Sequence, residues 1–437
     1  MTSRSSDLDV ARSLERHAMK TSIRMGAALV LASVALAACG GGSTSGTGDG
    51  GKTLVISSDL PLQGASKDAS DATNNAIKLY LEQVGNKAGK YNITFKPYDD
   101  STAAKGAWDD ATCAKNAADH VANTDEVAVM GTYNSGCAKI EAPVLNADPS
   151  GPMLMVSHAN TNPGLTKKWD AGEPEKYFPS GKRSFARVIS TDDYQGAAAA
   201  QFAQQKLKAN KVYILNDNQT YGQGVGKAFE AEAKKIGMTV LGNEPWDGKQ
   251  TSYASLFTKI KAAGPDLVYL AGIYDNNGGQ LVKDKVSVLG DNATVPMMAP
   301  DGFSGYPELQ KMSQAEGLYL SFAGLSTDQL LAGGGAGKKL LDDYKAKYGS
   351  EPSTSYALYG VAAVQVILAA IEKSDGTRKG VTDAVFSGEG ITIAKDKSVI
   401  GKEIKIDTAT GDTNNKDMTI LQMKGGKETF VAAQPLS

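Results

Sequence analysis

Histidine and cysteine are scarce, with three of each among 437 residues. Three cysteines cannot build a disulfide scaffold, and three histidines leave little for metal or nucleophile–base chemistry. The chain also lacks an excess of either charge: 46 Lys+Arg against 48 Asp+Glu give −2 at pH 7. Phosphate binding needs a basic face, so a nucleic-acid partner is excluded. With 41% hydrophobic and 22% charged residues the composition is that of a soluble globular protein rather than a disordered or polytopic membrane chain. At roughly 100–200 residues per domain, the length predicts two or three domains.

What is present begins with a secretion signal. Lys20 and Arg24 precede an apolar stretch from Met25 to Ala38, followed by Cys39. The stretch is shorter than the about 20 residues that span a bilayer, and its small terminal residues favour cleavage. Leu36-Ala37-Ala38-Cys39 resembles the bacterial lipoprotein box, which implies a lipidated Cys39 as the new N-terminus. Asp7, Asp9 and Glu15 are unusual in a signal, so Met19 is the more natural start. With 1–38 removed, 399 residues remain with 41 basic against 45 acidic side chains, and only His120 and His158. Residues 39–52 combine the lipidated cysteine with a Gly/Ser tether, seven of the twelve residues 40–51 being glycine. Such a segment is a flexible coil.

From residue 53 short β-branched runs alternate with amphipathic stretches. Strands are predicted at 53–57, 93–97, 127–131, 153–157, 211–216, 239–244, 267–271 and 294–298. Helices are predicted at 73–84, 108–123, 194–207, 222–236, 253–263, 329–347 and 355–373, and edge strands in the tail at 403–407, 418–423 and 429–432. Alternation of strand and crossover helix predicts an α/β fold of two doubly wound lobes. A Pro/Gly/Lys-rich excursion at 162–184 separates the two series.

Fragments that imitate cofactor motifs fail on spacing. Gly222-Gln223-Gly224-Val225-Gly226 is not G-x-G-x-x-G, and 333–339 (GGGAGKK) lacks both ends of a phosphate loop. No G-x-S-x-G elbow presents a serine nucleophile. The expectation is a protein without catalytic residues, metal or cofactor. Cys113 and Cys137 flank the strand 127–131, and in an oxidising compartment such a pair closes a disulfide, the alternative being two buried thiols.

Ligands of open α/β sheets bind at the carboxyl ends of strands. There the first series carries Thr132-Tyr133-Asn134-Ser135-Gly136-Cys137 and Ser157-His158-Ala159-Asn160-Thr161. Hydroxyls and free N–H groups at a helix start suit an anion such as a carboxylate, although Ser135 and Thr161 also read as ordinary N-caps. The second series carries Asp217-Asn218-Gln219-Thr220-Tyr221, Ile273-Tyr274-Asp275 and Asp301-Gly302. Two tyrosines and an acid suit an ammonium group, so the combination fits a zwitterion.

At these residues the chain resembles the type 1 periplasmic binding proteins, specifically the leucine/isoleucine/valine-binding receptors of ABC importers, in lipoprotein form. The resemblance spans about 53–425 and rests on 59–64 (DLPLQG), 98–100 (YDD), 155–166 (MVSHANTNPGLT), 216–224 (NDNQTYGQG) and 299–302 (APDG) in order. It implies two lobes joined by three hinge crossings, near 188–191, 322–326 and 401–407. Lobe one would comprise 53–188 and 324–405, and lobe two 189–323 and 406–437. It further implies a carboxylate held by Ser135 and by Ala159, Asn160 and Thr161, beside Tyr133. Asp301 would hold the ammonium, with Tyr221 and Tyr274 closing over the ligand. Tyr274 matches only after a one-residue shift at Ile273. Two departures concern the side-chain pocket: 65–72 (ASKDASDA) is small and polar where the family often has an aromatic, and Asp301 stands for a glutamate. Residues 167–184, with Trp169 and Tyr177, look like an insertion. The implied protein is a monomer anchored outside the cytoplasm that delivers a branched-chain or related amino acid to a permease and its ATPase. A ligand sensor of the same fold, or a binder of amides or aromatic acids, is the alternative.

Overall fold

The computed structural model describes residues 51–436. The signal at 1–38, Cys39 and the tether as far as Gly50 lie outside the described residues. Two sheets organise the chain. The first runs, in spatial order, Lys87–Ala88, Tyr91–Asp99, Thr53–Leu60, Glu126–Gly131, Leu154–Ser157 and Phe185–Arg187, all parallel except the first pair. The second runs Thr239–Pro245, Lys211–Asn216, Leu267–Ala271, Met297–Ala299 and Tyr319–Phe322 in parallel, then adds Thr419–Lys424 and Lys427–Ala433 antiparallel. In each sheet the first parallel strand in sequence lies between the second and third, so each has a switch point where strand order reverses.

Central strands such as Glu126–Gly131 and Leu267–Ala271 are buried at every residue, as parallel strands covered on both faces must be. On the first sheet, helix Lys67–Gln83 packs against helix Tyr356–Glu372, and Asp110–Ala122 against Ser135–Asn146. On the second, Asp192–Gln205 packs against Thr220–Lys235, and Ala254–Ala263 against Gly278–Leu289. Helix Tyr356–Glu372 is buried except at Ala369 and Glu372. Its Gln365 is satisfied by the carbonyl of Lys397 at 2.8 Å and the N–H of Val399 at 3.2 Å. No helix among the described residues is long and apolar enough to cross a membrane.

Two elements differ from the sequence reading. The helix expected at 329–347 is two, Thr327–Gly333 and Gly335–Tyr348, because Gly334 takes φ of +68° at the junction. The strand expected at 294–298 is Met297–Ala299, because Asp291 captures the Thr294 N–H at 2.8 Å and holds that segment in a turn. Short strands at Phe185–Arg187 and Tyr319–Phe322 and helices at Gly278–Leu289 and Arg378–Phe386 add to those expected.

Cys113 and Cys137 are joined, with Cα atoms 5.6 Å apart, and tie the helix pair Asp110–Ala122 and Ser135–Asn146 together next to Trp108. Beside them lies a fully buried polar cluster of Asp59, Asp100, Glu126, Glu141 and His120. Burial and the neighbouring Asp59 push the carboxyls of Asp100 and Glu141 well above their ordinary range. Burial opposes a charge on His120, yet Asp59 at 3.3 Å and Glu126 at 2.6 Å raise its pKa to about 9. A histidine at about 6.5 when unfolded stabilises the fold fully below pH 6.5 and loses that contribution as pH rises through 9. The loss is on the order of 3 kcal/mol. Urea denaturation should therefore show wild-type stability falling between pH 6.5 and 9.5, and a smaller fall in His120→Gln. Equal slopes would assign the pH dependence to the buried carboxyls instead.

Candidate functional site

The two switch points face each other. From the first lobe, Tyr133, Asn134, Ser135, Ala159 and Tyr356 line a cavity; from the second, Tyr221, Ile273, Asp301 and Gly302. The cavity between the lobes measures about 20 Å³. The lobes meet through Ser66, which donates to Asp275 at 2.5 Å, and through Asn162, whose amide donates to the Thr220 carbonyl at 3.2 Å. Burial raises Asp275 to about 6 against the hydrogen bonds of Ser66 and Tyr306.

On the first lobe the strand Glu126–Gly131 delivers Ser135 as the first residue of its helix, where unsatisfied N–H groups gather. Ser135 accepts from the Asn162 N–H at 3.4 Å. Ser157 sets the neighbouring loop, donating to the Thr132 carbonyl at 3.1 Å and accepting from Ala159 N–H at 3.1 Å and Asn160 N–H at 2.8 Å. Arg187, fully buried, donates to the carbonyls of Asn160 at 2.8 Å and Asn162 at 2.9 Å and pairs with Asp412 at 2.8 Å.

On the second lobe Asp217 holds two loops together. It accepts from Gln219 N–H at 3.0 Å, Ile273 N–H at 3.0 Å and the Asn276 amide at 2.9 Å. Burial still raises it to about 6. Gly302 lies so close to Gly272 that a Cβ there would sit 2.4 Å from the Gly272 carbonyl oxygen. The Tyr221 hydroxyl donates to Asp301, and accepts from Gly302 N–H at 3.2 Å. Burial pushes Asp301 up, opposed by the hydrogen bond from Tyr221. Its second oxygen has no partner.

Of the residues singled out in the sequence, Tyr133, Ser135, Ala159, Tyr221 and Asp301 meet at this cavity. Three do not line it. Asn160 turns its amide to the Tyr133 carbonyl at 3.1 Å, fastening one loop to the other. Thr161 sits beside Asp192, whose carboxyl its hydroxyl helps to hold down. Tyr274 packs on Phe303 and Tyr306, with centroids 5.9 and 4.7 Å apart, and Ile273 takes the lining position because Asp217 fixes its N–H. The sequence reading missed Asn134, Tyr356 and Asp192. Asp192 is fully buried behind the cavity, raised by burial and by Asp301 and lowered by Thr161 and Arg187.

A small cavity between two doubly wound lobes, with polar side chains reaching it from both, is the arrangement of a bilobal binding protein. The profile described as "Periplasmic binding protein" matches residues 58–428, and the chain belongs to that family. Family membership places the folded body outside the cytoplasm. The Leu/Ile/Val-binding protein BraC3 of Rhizobium johnstonii is 27% identical over 389 residues, 87% of this chain and 94% of the relative. The leucine binding protein LivK of Thermotoga maritima superposes with a TM-score of 0.71 at 23% identity, over 87% of this chain and 99% of that one. A solute binding protein of an ABC transporter from Rhodopseudomonas palustris, in complex with p-hydroxybenzoic acid, gives 0.72 at 16% identity, over 88% and 98%.

Replacing Arg187 by Met leaves Asp412 and two loop carbonyls buried without their donor. Removal of one partner of a buried ion pair costs about 3–5 kcal/mol. Denaturant unfolding of Arg187→Met should show a loss of that size; a loss below about 1 kcal/mol would mean that the loop is held by its other contacts.

Proposed function

We propose that this protein is the substrate-binding component of an ABC importer and captures a small amino acid or a close analogue between its lobes. The observation that carries the reading is the pairing, across one buried cavity, of the helix start at Ser135 with Asp301, a buried acid that has one free oxygen. The first suits a carboxylate and the second an ammonium. The names of the relatives, a Leu/Ile/Val-binding protein and a leucine binding protein, support an amino-acid ligand.

In this reading lobe one, 53–188 with 324–405, binds the carboxylate through Ser135 and the backbone at 159–161. Lobe two, 189–323 with the tail from 406, then closes about the crossings near 188–191, 322–326 and 401–407. Such hinge closure is a known behaviour of periplasmic binding proteins. The ligand stabilises the closed form by the contacts to Asp301 and Tyr221 that only that form makes, and the closed form docks on the permease. Asp192 lies behind the cavity as a second acceptor for the ammonium. Cys39 carries the lipid, and the tether lets the folded body reach about 20 Å from the membrane by random-coil scaling.

Calorimetric titration of the purified protein against amino acids, amides and aromatic acids tests the reading. Amino acids should bind, and Asp301→Ala should weaken them by about 2–5 kcal/mol, as expected when a buried charge loses its partner. Unchanged affinity in that variant would remove Asp301 from the ligand, and binding of aromatic acids alone would replace the amino acid. Fractionation checks the anchor: wild type should sediment with membranes and Cys39→Ala should be released.

A further inference from the structure

The head group of an amino acid uses Ser135, the loop backbone at 159–161 and Asp301, with Asp192 behind. Polar atoms beyond that need line the same cavity. Both amide atoms of Asn134 are buried and make no hydrogen bond within the protein, and the Tyr133 hydroxyl, with the Tyr306 hydroxyl as its nearest polar neighbour, makes none of good geometry. Asn134 occupies the N-cap of helix Ser135–Asn146, where an asparagine ordinarily accepts a helix N–H, yet its side chain makes no capping bond. Behind Tyr133 lies His158, also buried, with both ring nitrogens unpaired and its ring 5.9 Å from those of Tyr133 and Tyr356. Burial keeps this imidazole neutral, at about 3.

An aliphatic ligand side chain would cover these atoms and leave them without water or a partner, the expensive arrangement for a buried polar group. A ligand hydroxyl or carboxamide both donates and accepts, and so does the Asn134 amide. No Lys or Arg lines the cavity, so an acidic side chain would find no counter-charge.

Resting on the amino-acid reading, we infer that the bound solute carries a neutral hydrogen-bonding group in its side chain, a hydroxyl or carboxamide. Asn134 and Tyr133 bind it, selecting such amino acids over their aliphatic isosteres. A site built to hydrogen-bond a substrate group rejects the analogue that lacks it far more strongly than an apolar pocket rejects an added hydroxyl.

Calorimetry of the wild-type protein with two near-isosteric pairs, L-threonine against L-valine and L-asparagine against L-leucine, decides the matter. At least one polar member should bind tenfold or more tightly than its aliphatic partner. Asn134→Leu should shrink or reverse that ratio, and Tyr133→Phe, which removes one oxygen only, should reduce it. Valine and leucine both binding as tightly as, or more tightly than, their polar partners would overturn the inference and leave the amino-acid reading standing. Failure of all amino acids to bind would overturn both. A preference that survives unchanged in Asn134→Leu and Tyr133→Phe would overturn the assignment of these residues.

Discussion

The arrangement depends most on one buried cation. Arg187 ends the last strand of the first sheet, immediately before the chain crosses between lobes. Its guanidinium reaches in three directions, to the carbonyls of Asn160 and Asn162, to Thr166, and to Asp412 where the tail returns. A planar fork with five donors can satisfy loop carbonyls and a carboxylate together, which a lysine cannot. The loop that presents Ala159 to the cavity is thereby fixed to the polypeptide at the hinge. Rigid presentation on one side and freedom to rotate on the other are what a closing cleft needs.

The region between the lobes gathers acids that are unfavourable when buried alone. Asp192 and Asp301 are buried and Asp275 is half-buried, and burial pushes all three carboxyls upward. Across the cleft Asp275 has Ser66, whereas Asp301 is paired within its own lobe by Tyr221 and keeps an unpaired oxygen. In the function proposed above, a solute that supplies a cation there lowers the free energy of the closed state more than that of the open one.

Much of this architecture was legible in the residues. Lys211–Asn216 and Leu267–Ala271 read as strands because uninterrupted apolar runs end in polar turns. Phe185–Arg187 did not, because three residues give no period and the segment follows a lysine-rich loop; only its pairing with Leu154–Ser157 makes it a strand. Site residues divided in the same way. Ser135, Tyr221 and Asp301 sit at the ends of legible strands. Asp192 was hidden because an acid at a helix start is explained by the helix dipole alone. Tyr356 looked like one more apolar residue of a buried helix. Tyr274 was misplaced for want of a single hydrogen bond, Asp217 to the Ile273 N–H, which no local pattern records.

The scarcity of histidine also acquires a physical meaning. Ser57, His120 and Glu126 together have the composition of a catalytic triad, with Ser57 Oγ 3.4 Å from His120 Nδ1 and that nitrogen 2.6 Å from Glu126. Yet the serine donates to Glu126 rather than to the imidazole, and all three side chains are fully buried, out of reach of any solute. A general base must meet its proton within about 3 Å or through one water, and nothing can approach here. The second histidine, His158, is buried and neutral, one layer behind the cavity wall. Each of the two histidines among the described residues thus serves the framework, His120 by balancing buried carboxylates and His158 by backing the aromatic wall. The cavity itself is lined by hydrogen-bonding groups and one carboxylate, the means of holding a solute.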